Sequence, residues 1–116
     1  MTSLKQIESM GTIMKNKNQP LDRQQLLIDL YTQYLFGKIT LGQLLSHLRK
    51  NVLGLSQEKY AAMVGISRRT LTDIEQDKGQ LTQVVLDKVF KPLGLKAGLV
   101  PTHEHIVHKV IQPFSD

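Results

Sequence analysis

The 116-residue chain contains no cysteine and no tryptophan, and its aromatic residues are three tyrosines and three phenylalanines. Without cysteine, neither a disulfide framework nor a cysteine-ligated zinc finger can form. The sequence also lacks an apolar run of membrane-spanning length and a secretory signal, so we expect a cytoplasmic protein without a membrane partner. This length supports one domain with extensions and excludes a second full domain.

Arrangements that perform catalysis are missing as well. The sequence shows no nucleophile with a matching base and no glycine-rich loop for a phosphate, and its carboxylates are scattered among basic residues. Three histidines lie close together at His103, His105 and His108. No single regular structure places all three on one face, so a polar tail is favoured over a metal site. We therefore predict no enzymatic activity, no metal and no cofactor.

The net charge of +5 is distributed unevenly. Residues 38–91 carry nine basic and five acidic side chains, against four and three before them and two and two after them. A local excess of positive charge suits phosphate binding, although a basic composition is also found in proteins that do not bind nucleic acid.

Residues 55–79 have the pattern of two short helices joined by a tight turn. Ser56 and Ser67 are each placed to cap a helix, and Gly65 suits the left-handed backbone at the end of the first helix. In the second helix Leu71 and Ile74 share the inner face. This pattern leaves polar side chains on the outer face, namely Arg68, Arg69, Thr70, Thr72 and Asp73.

The charges of the second helix are opposite to those that a helix dipole favours. Arg68 and Arg69 occupy the positive end of the dipole, and Glu75 and Asp77 follow near the negative end. Each misplaced exposed charge costs roughly 0.3–1 kcal/mol. A bound polyanion would remove that cost at the two arginines. The alternative is a solvated face on which Arg69 and Asp73 form a weak i, i+4 pair.

Residues 40–95 resemble the helix-turn-helix domain of the lambda-repressor, Cro and Xre class of regulators. The resemblance rests on Leu41-Gly42, Leu48-Arg49, Leu55-Ser56-Gln57, Tyr60-Ala61, Val64-Gly65-Ile66-Ser67, Leu71, Ile74-Glu75 and Leu93-Gly94-Leu95. It implies that Gln57 contacts the phosphate backbone and that the start of the second helix faces base edges in the major groove. The implied DNA-binding residues are Gln57, Ser67, Arg68, Arg69, Thr70, Thr72 and Asp73.

Two positions differ from the family pattern. Lys50 stands where many members carry an arginine that pairs with the glutamate, so we expect a Lys50–Glu75 clamp without a bidentate fork. Gln76-Asp77 stands where members often carry glycine. Either Asp77 adopts the left-handed conformation, or the helix continues to Gly79.

The remaining helices are predicted from caps and stops. Thr40 with Gln43 predicts a capping box at the start of a helix that ends near Asn51. Another helix begins near Thr82 and closes at Pro92.

Residues 1–19 are expected to be flexible. The pattern of residues 20–37 predicts an accessory helix that is capped by Asp22. This helix would either pack beside the core or supply a dimer face.

The C-terminal region, residues 96–116, is predicted to form a short strand and a tail. Leu95, Ala97 and Leu99 alternate with other residues, and a lone strand of this kind would pair with its counterpart in a second copy. The segment looks like that of the HipB-type antitoxins. This resemblance implies a homodimer that represses its own operon and binds a toxin protein.

The sequence therefore predicts an all-α protein. Its expected core is a lambda-repressor-like five-helix DNA-binding domain at residues 38–95, with the accessory helix before it and the strand and tail after it. The predicted function is a dimeric, sequence-specific repressor of a palindromic operator, and the additional partner implied is a toxin. The alternative is a protein-interaction module of the same fold with incidental DNA affinity.

Overall fold

The computed structural model describes residues 20–112, so the segment predicted to be flexible, residues 1–19, lies outside the described residues. Within the described range the chain is all-α, as predicted, and has no strand. The helices are α1 (Pro20–Leu35), α2 (Leu41–His47), α3 (Gln57–Val64), α4 (Arg68–Glu75), α5 (Gln83–Phe90) and α6 (Glu104–Ile111).

Two helices are extended by turns of a different pitch. α2 continues directly as a π-helix at Leu48–Leu53, which ends at Gly54 in the left-handed conformation. α5 continues as a 3₁₀ turn at Lys91–Leu93, which contains Pro92. Residues 38–95 therefore hold four α-helices with two extensions instead of the expected five helices.

The predicted helix starts are confirmed at four positions. At each start a hydroxyl oxygen accepts a hydrogen bond from the backbone N–H three residues later, which satisfies one free amide of the first turn. The capping residues are Thr40, Ser56, Ser67 and Thr82. Thr40 and Gln43 also form the complete capping box. Such caps stabilise a helix by about 1 kcal/mol each.

A single apolar core joins α1 to the helices that follow it. α1 contributes Leu26 and Leu30 to this core. The other buried members are Leu44, Leu45, Leu48, Tyr60, Ala61, Val64, Leu71, Ile74, Val89, Phe90 and Leu93. α1 is the accessory helix of the sequence analysis, and it packs beside the core, which is one of the two alternatives considered there. The helix begins at Pro20, so Asp22 lies in its first turn instead of capping it.

The predicted strand is absent from the described residues, because residues 95–100 have no regular secondary structure. The backbone N–H of Ala97 instead donates to Asp87 Oδ1 at 2.7 Å. The tail contains a helix that the sequence analysis does not predict, since part of it forms α6. Val107 of this helix is buried, and the His108 ring lies 4.9 Å from the Phe36 ring.

In the part of the chain that the structure describes, no helix has both the length and the apolar character needed to cross a membrane.

Candidate nucleic-acid interface

The turn between α3 and α4 has the compact form that the sequence predicts. Gly65 adopts φ 78°, and the N–H groups of Gly65 and Ile66 both donate to the Ala61 carbonyl, at 2.9 and 3.0 Å. A left-handed glycine with these bonds closes α3 and reverses the chain direction within a few residues. Ser67 then caps α4, so three residues separate the end of α3 from the start of α4.

Arg68 and Arg69 are exposed in the first turn of α4. Within residues 20–112 neither guanidinium has a hydrogen-bond or ion-pair partner. The weak Arg69–Asp73 pair considered above is therefore not formed. Two unpaired cations at the positive end of a helix dipole are locally unfavourable, and an external anion would stabilise them.

The hydroxyl groups at the start of α4 are held together. Ser67 Oγ accepts from the Thr70 N–H at 3.0 Å and donates to Thr70 Oγ1 at 2.8 Å. Ser67 is exposed and Thr70 is half-buried. Both hydroxyls therefore lie beside the two arginines in a fixed arrangement.

Gln57 and Thr72 form hydrogen bonds between α3 and α4. Thr72 Oγ1 donates to the Arg68 carbonyl at 2.9 Å and lies 3.2 Å from Gln57 Oε1. Gln57 Nε2 donates to Glu75 Oε1 at 2.9 Å. These two predicted DNA contacts are thus also part of the connection between the helices. Asp73, the remaining predicted contact, is half-buried.

The predicted clamp between Lys50 and Glu75 is wrong. Lys50 is exposed, and the preceding residue, Arg49, is the partner of Glu75. Arg49 Nε and Nη2 donate to Glu75 Oε2 and Oε1 at 2.6 and 2.9 Å, which is a bidentate fork. Arg49 Nη1 also donates to the Leu55 carbonyl at 2.7 Å.

This ion pair is buried, with side-chain exposures of 5% for Arg49 and 6% for Glu75. Buried charges are tolerated when they are paired and hydrogen-bonded. Sequence reasoning missed Arg49, although a signal was present. Arg49 lies four residues after Leu45 and directly after Leu48. This spacing places Arg49 itself within the apolar stripe of the helix.

Tyr60 lies fully buried near the same ion pair. Its hydroxyl donates to the Val89 carbonyl, which connects α3 to α5. Burial, and then the charge of the Glu75 carboxylate, raise the pKa of Tyr60 to about 12, while the Arg49 charge acts in the opposite direction. Tyr60 therefore remains a neutral hydrogen-bond donor at neutral pH.

The end of α4 contacts the start of α2. Asp77 adopts φ 58°, so the left-handed alternative is realised and α4 ends at Glu75. Its carboxylate accepts from Thr40 Oγ1 at 2.5 Å and from the Gly42 N–H at 2.9 Å. At Gly42 a Cβ atom would lie 2.5 Å from the Ile74 carbonyl oxygen, so only glycine fits there.

The histidines do not form a metal site. His103 and His105 stack with ring centroids 5.6 Å apart, while His108 lies against Phe36. Among the described residues, no group of three histidine, cysteine, aspartate or glutamate side chains could hold a metal ion.

Comparisons with known proteins match the part of the chain that contains this candidate interface. A family model described as helix-turn-helix matches residues 46–99. Control protein C.MunI from Mycoplasma sp is 38% identical over 58 residues, which cover 50% of this chain and 78% of that relative. No solved structure matches the chain.

The capped helices, the glycine turn and the exposed cationic start of α4 define a helix-turn-helix protein. Together with these matches, they show that the chain belongs to the lambda-repressor and Xre type of helix-turn-helix family, whose members are DNA-binding transcriptional regulators.

Proposed function

We propose that this regulator is a sequence-specific repressor that places α4 in the major groove of its operator. The observation that carries the proposal is the exposed, unpartnered pair Arg68 and Arg69 at the start of α4. Their position is unfavourable in the free protein and becomes favourable beside DNA.

Base reading is assigned to the outer face of α4. Arg68 and Arg69 have the geometry to bind guanine O6 and N7 through two hydrogen bonds each. Thr70 can contact a hydrogen-bonding base edge or a thymine methyl group, and Asp73 can accept from cytosine N4. Thr72, which is hydrogen-bonded to Gln57, is assigned a contact with either a base or the adjacent DNA phosphate backbone.

Gln57 and Ser67 are assigned to the phosphate backbone. Each stands at the start of a helix, where free N–H groups and the helix dipole favour an anion. The bond from Gln57 Nε2 to Glu75 uses one of the two amide protons, and the second remains for a phosphate oxygen. Such contacts fix the register of the protein on DNA without reading its sequence.

The proposed functional unit is a homodimer in which Leu95, Ala97 and Leu99 contact a second copy. Leu99 is fully exposed, and the segment that carries it borders an open cavity of about 120 Å3 against α1 and α5. A twofold dimer recognises a palindrome with half-sites roughly 10 base pairs apart, or a multiple of that spacing. The proposed target is the operator of the protein's own operon.

A protein partner is proposed in addition, and a toxin is the candidate. Supporting this, α6 leaves Ile106, Val110 and Ile111 exposed. Exposed apolar clusters of this kind often mark protein contacts. The relative's designation as a control protein supports a regulatory role but does not identify a toxin. If DNA binding is only incidental, this surface becomes the basis of the alternative function, a protein-interaction module.

The assignment of base readers is tested by affinity measurements on operator and random DNA. Arg68→Ala and Arg69→Ala should each lose about 1–3 kcal/mol on the operator and relax the preference at particular bases. Gln57→Ala should weaken binding to all sequences alike. Lys109→Ala on α6 removes one exposed positive charge and serves as the control. Equal losses on operator and random DNA for the arginine variants would contradict the assignment.

The dimer contact is tested separately by sedimentation. Leu99→Asp should convert a dimer of the wild type to a monomer, because a carboxylate would have to be buried in the contact. Val110→Asp places the same charge on the exposed face of α6 and should leave the dimer intact. A monomeric wild type, or a dimer that survives Leu99→Asp, would overturn the contact.

A further inference from the structure

Asp77 is the only non-glycine residue with a positive φ angle in residues 20–112. Glycine adopts this conformation without steric cost, whereas aspartate adopts it only at some expense. The aspartate supplies a carboxylate that glycine lacks. Both carboxylate oxygens are used, one by the Thr40 hydroxyl and the other by the Gly42 N–H.

These hydrogen bonds join two segments that are far apart in the sequence. Thr40 and Gly42 are at the start of α2, and Asp77 follows the end of α4. The last turn of α4 has two further attachments to the same helical segment, the Arg49–Glu75 ion pair and the close approach of Gly42 to the Ile74 carbonyl. The C-terminal end of α4 is thus its anchored end.

The proposed base-reading side chains lie at the opposite end of α4. Arg68 precedes Glu75 by seven residues, which is roughly 10 Å along a helix with a rise of 1.5 Å per residue. A rotation of about 10° at the anchored end would move the arginine backbone by about 2 Å. Hydrogen bonds are made within a window of about half an ångström, so such a rotation is enough to lose a bidentate contact.

We propose that Asp77 is a positioning residue for DNA recognition, which fixes the direction of α4 by bonding its C-terminal end to Thr40 and Gly42. The inference rests on the proposed base-reading function of α4. Asp77 itself needs no contact with DNA for this role. It acts through the orientation of Arg68 and Arg69.

Two substitutions separate the hydrogen bonds from the backbone conformation. Asp77→Gly removes the carboxylate and also relieves the positive φ angle, so the loss is confined to the two bonds. Asp77→Asn keeps one acceptor oxygen for the Gly42 N–H, and its amide N–H can donate to the Thr40 hydroxyl, so both connections can be retained. Asparagine also tolerates the left-handed conformation. Gln76→Ala changes the exposed neighbouring side chain and is the matched control.

Each variant is examined by hydrogen exchange at the Gly42 amide and by the ratio of operator affinity to scrambled-DNA affinity. We expect faster Gly42 exchange and an affinity ratio at least about fivefold lower in Asp77→Gly, which corresponds to the loss of one base contact. Binding to scrambled DNA should change little. Asp77→Asn and Gln76→Ala should keep both properties close to those of the wild type.

The inference is overturned if Asp77→Gly keeps the wild-type affinity ratio while its Gly42 amide exchanges faster. It is also overturned if the glycine variant does not fold, because Asp77 would then serve stability alone. A wild type that shows no preference for any operator is a different outcome, because it contradicts the proposed base-reading function itself. The Gly42 exchange then still reports whether the attachment exists.

Discussion

Arg49 connects three parts of the molecule through a single side chain. Its guanidinium bonds to Glu75 of α4 and to the Leu55 carbonyl just before α3. Gln57 adds a further hydrogen bond to the Glu75 carboxylate. One buried ion pair therefore contributes to the relative placement of α3 and α4.

Removal of Arg49 should be far more damaging than removal of its neighbour. Arg49→Ala leaves the Glu75 carboxylate buried without its cation, which should cost about 3–5 kcal/mol of unfolding free energy. Lys50→Ala removes an exposed lysine and should stay within about 0.5 kcal/mol of the wild type. Urea unfolding measures both. A loss in Lys50→Ala as large as that in Arg49→Ala would contradict the assigned pair.

Tyr60 should make the protein less stable at high pH. Its pKa is raised in the folded state to about 12, from 10 in the unfolded chain, so folding favours the protonated phenol. The resulting stability is complete below pH 10 and is lost as the pH rises towards about 12. We expect this residue to contribute about 1–3 kcal/mol of that loss.

The Tyr60→Phe variant isolates this contribution from those of other groups that titrate in the same range. The variant should be less stable at pH 8, because the Val89 carbonyl loses its donor. Its unfolding free energy should then fall less steeply than that of the wild type above pH 10. Parallel falls in the two proteins would show that Tyr60 is not the responsible group.

Individual residues were predictable from the sequence where their partners are close along the chain. Ser56 and Ser67 bond to amides three residues away, and such caps are visible in a short sequence window. The partner of Arg49 is 26 residues away, and only the folded chain shows that it compensates a buried charge. This is why the clamp was assigned to the wrong residue.

At the scale of helices, the contact between α2 and α4 requires a residue without a side chain. A Cβ atom on Gly42 would lie 2.5 and 2.6 Å from the carbonyl oxygens of Ile74 and Glu75. Backbone atoms at this distance cannot be displaced without moving a helix. The spacing of the two helices is therefore set by this glycine.

Gly42→Ala should push α4 away from α2 and lower the unfolding free energy by about 1–3 kcal/mol, as overpacking typically does. Gly98→Ala is the matched control, since a Cβ atom there meets nothing within 4 Å and the residue has no positive φ angle. Thermal unfolding of both variants measures the difference. An unchanged melting temperature for Gly42→Ala would contradict the close contact.

The positions of α1 to α5 were predictable from the sequence, whereas the π-helical extension and α6 were not. The period of apolar residues in α2 indicates a helix, but it does not reveal the change to a π-helix at Leu48, which depends on tertiary packing. α6 was missed because its histidines suggested a polar tail. In the structure, Val107 and His108 gain their packing from contacts with the rest of the fold.

At the scale of the whole molecule, α1 is part of the core. Leu30 is 5% exposed, and Ile28 on the same helix is 48% exposed. Leu30→Ala should therefore lower the unfolding free energy by about 2–5 kcal/mol. Ile28→Ala should cost much less. Similar small losses in the two variants, measured by urea unfolding, would show that α1 does not belong to the core.

The overall architecture was predictable in part. Residues 55–79 indicated the helix-turn-helix unit from local caps and a glycine turn, and this unit is present. The strand at residues 95–100 was predicted from alternation alone, but a strand needs a paired neighbour. In the described chain, the Ala97 N–H is instead bonded by the side chain of Asp87. The predicted domain boundaries and DNA contacts remain predictions.

Selection of bound sequences from a random pool of DNA duplexes tests the central claim most directly. The wild-type protein is used, and the selected sequence is then titrated against scrambled DNA at physiological salt. We predict a palindrome, bound at least about a thousandfold more tightly than scrambled DNA. If no common sequence is recovered, and the affinity depends on the salt concentration but not on the DNA sequence, the protein is not a sequence-specific repressor.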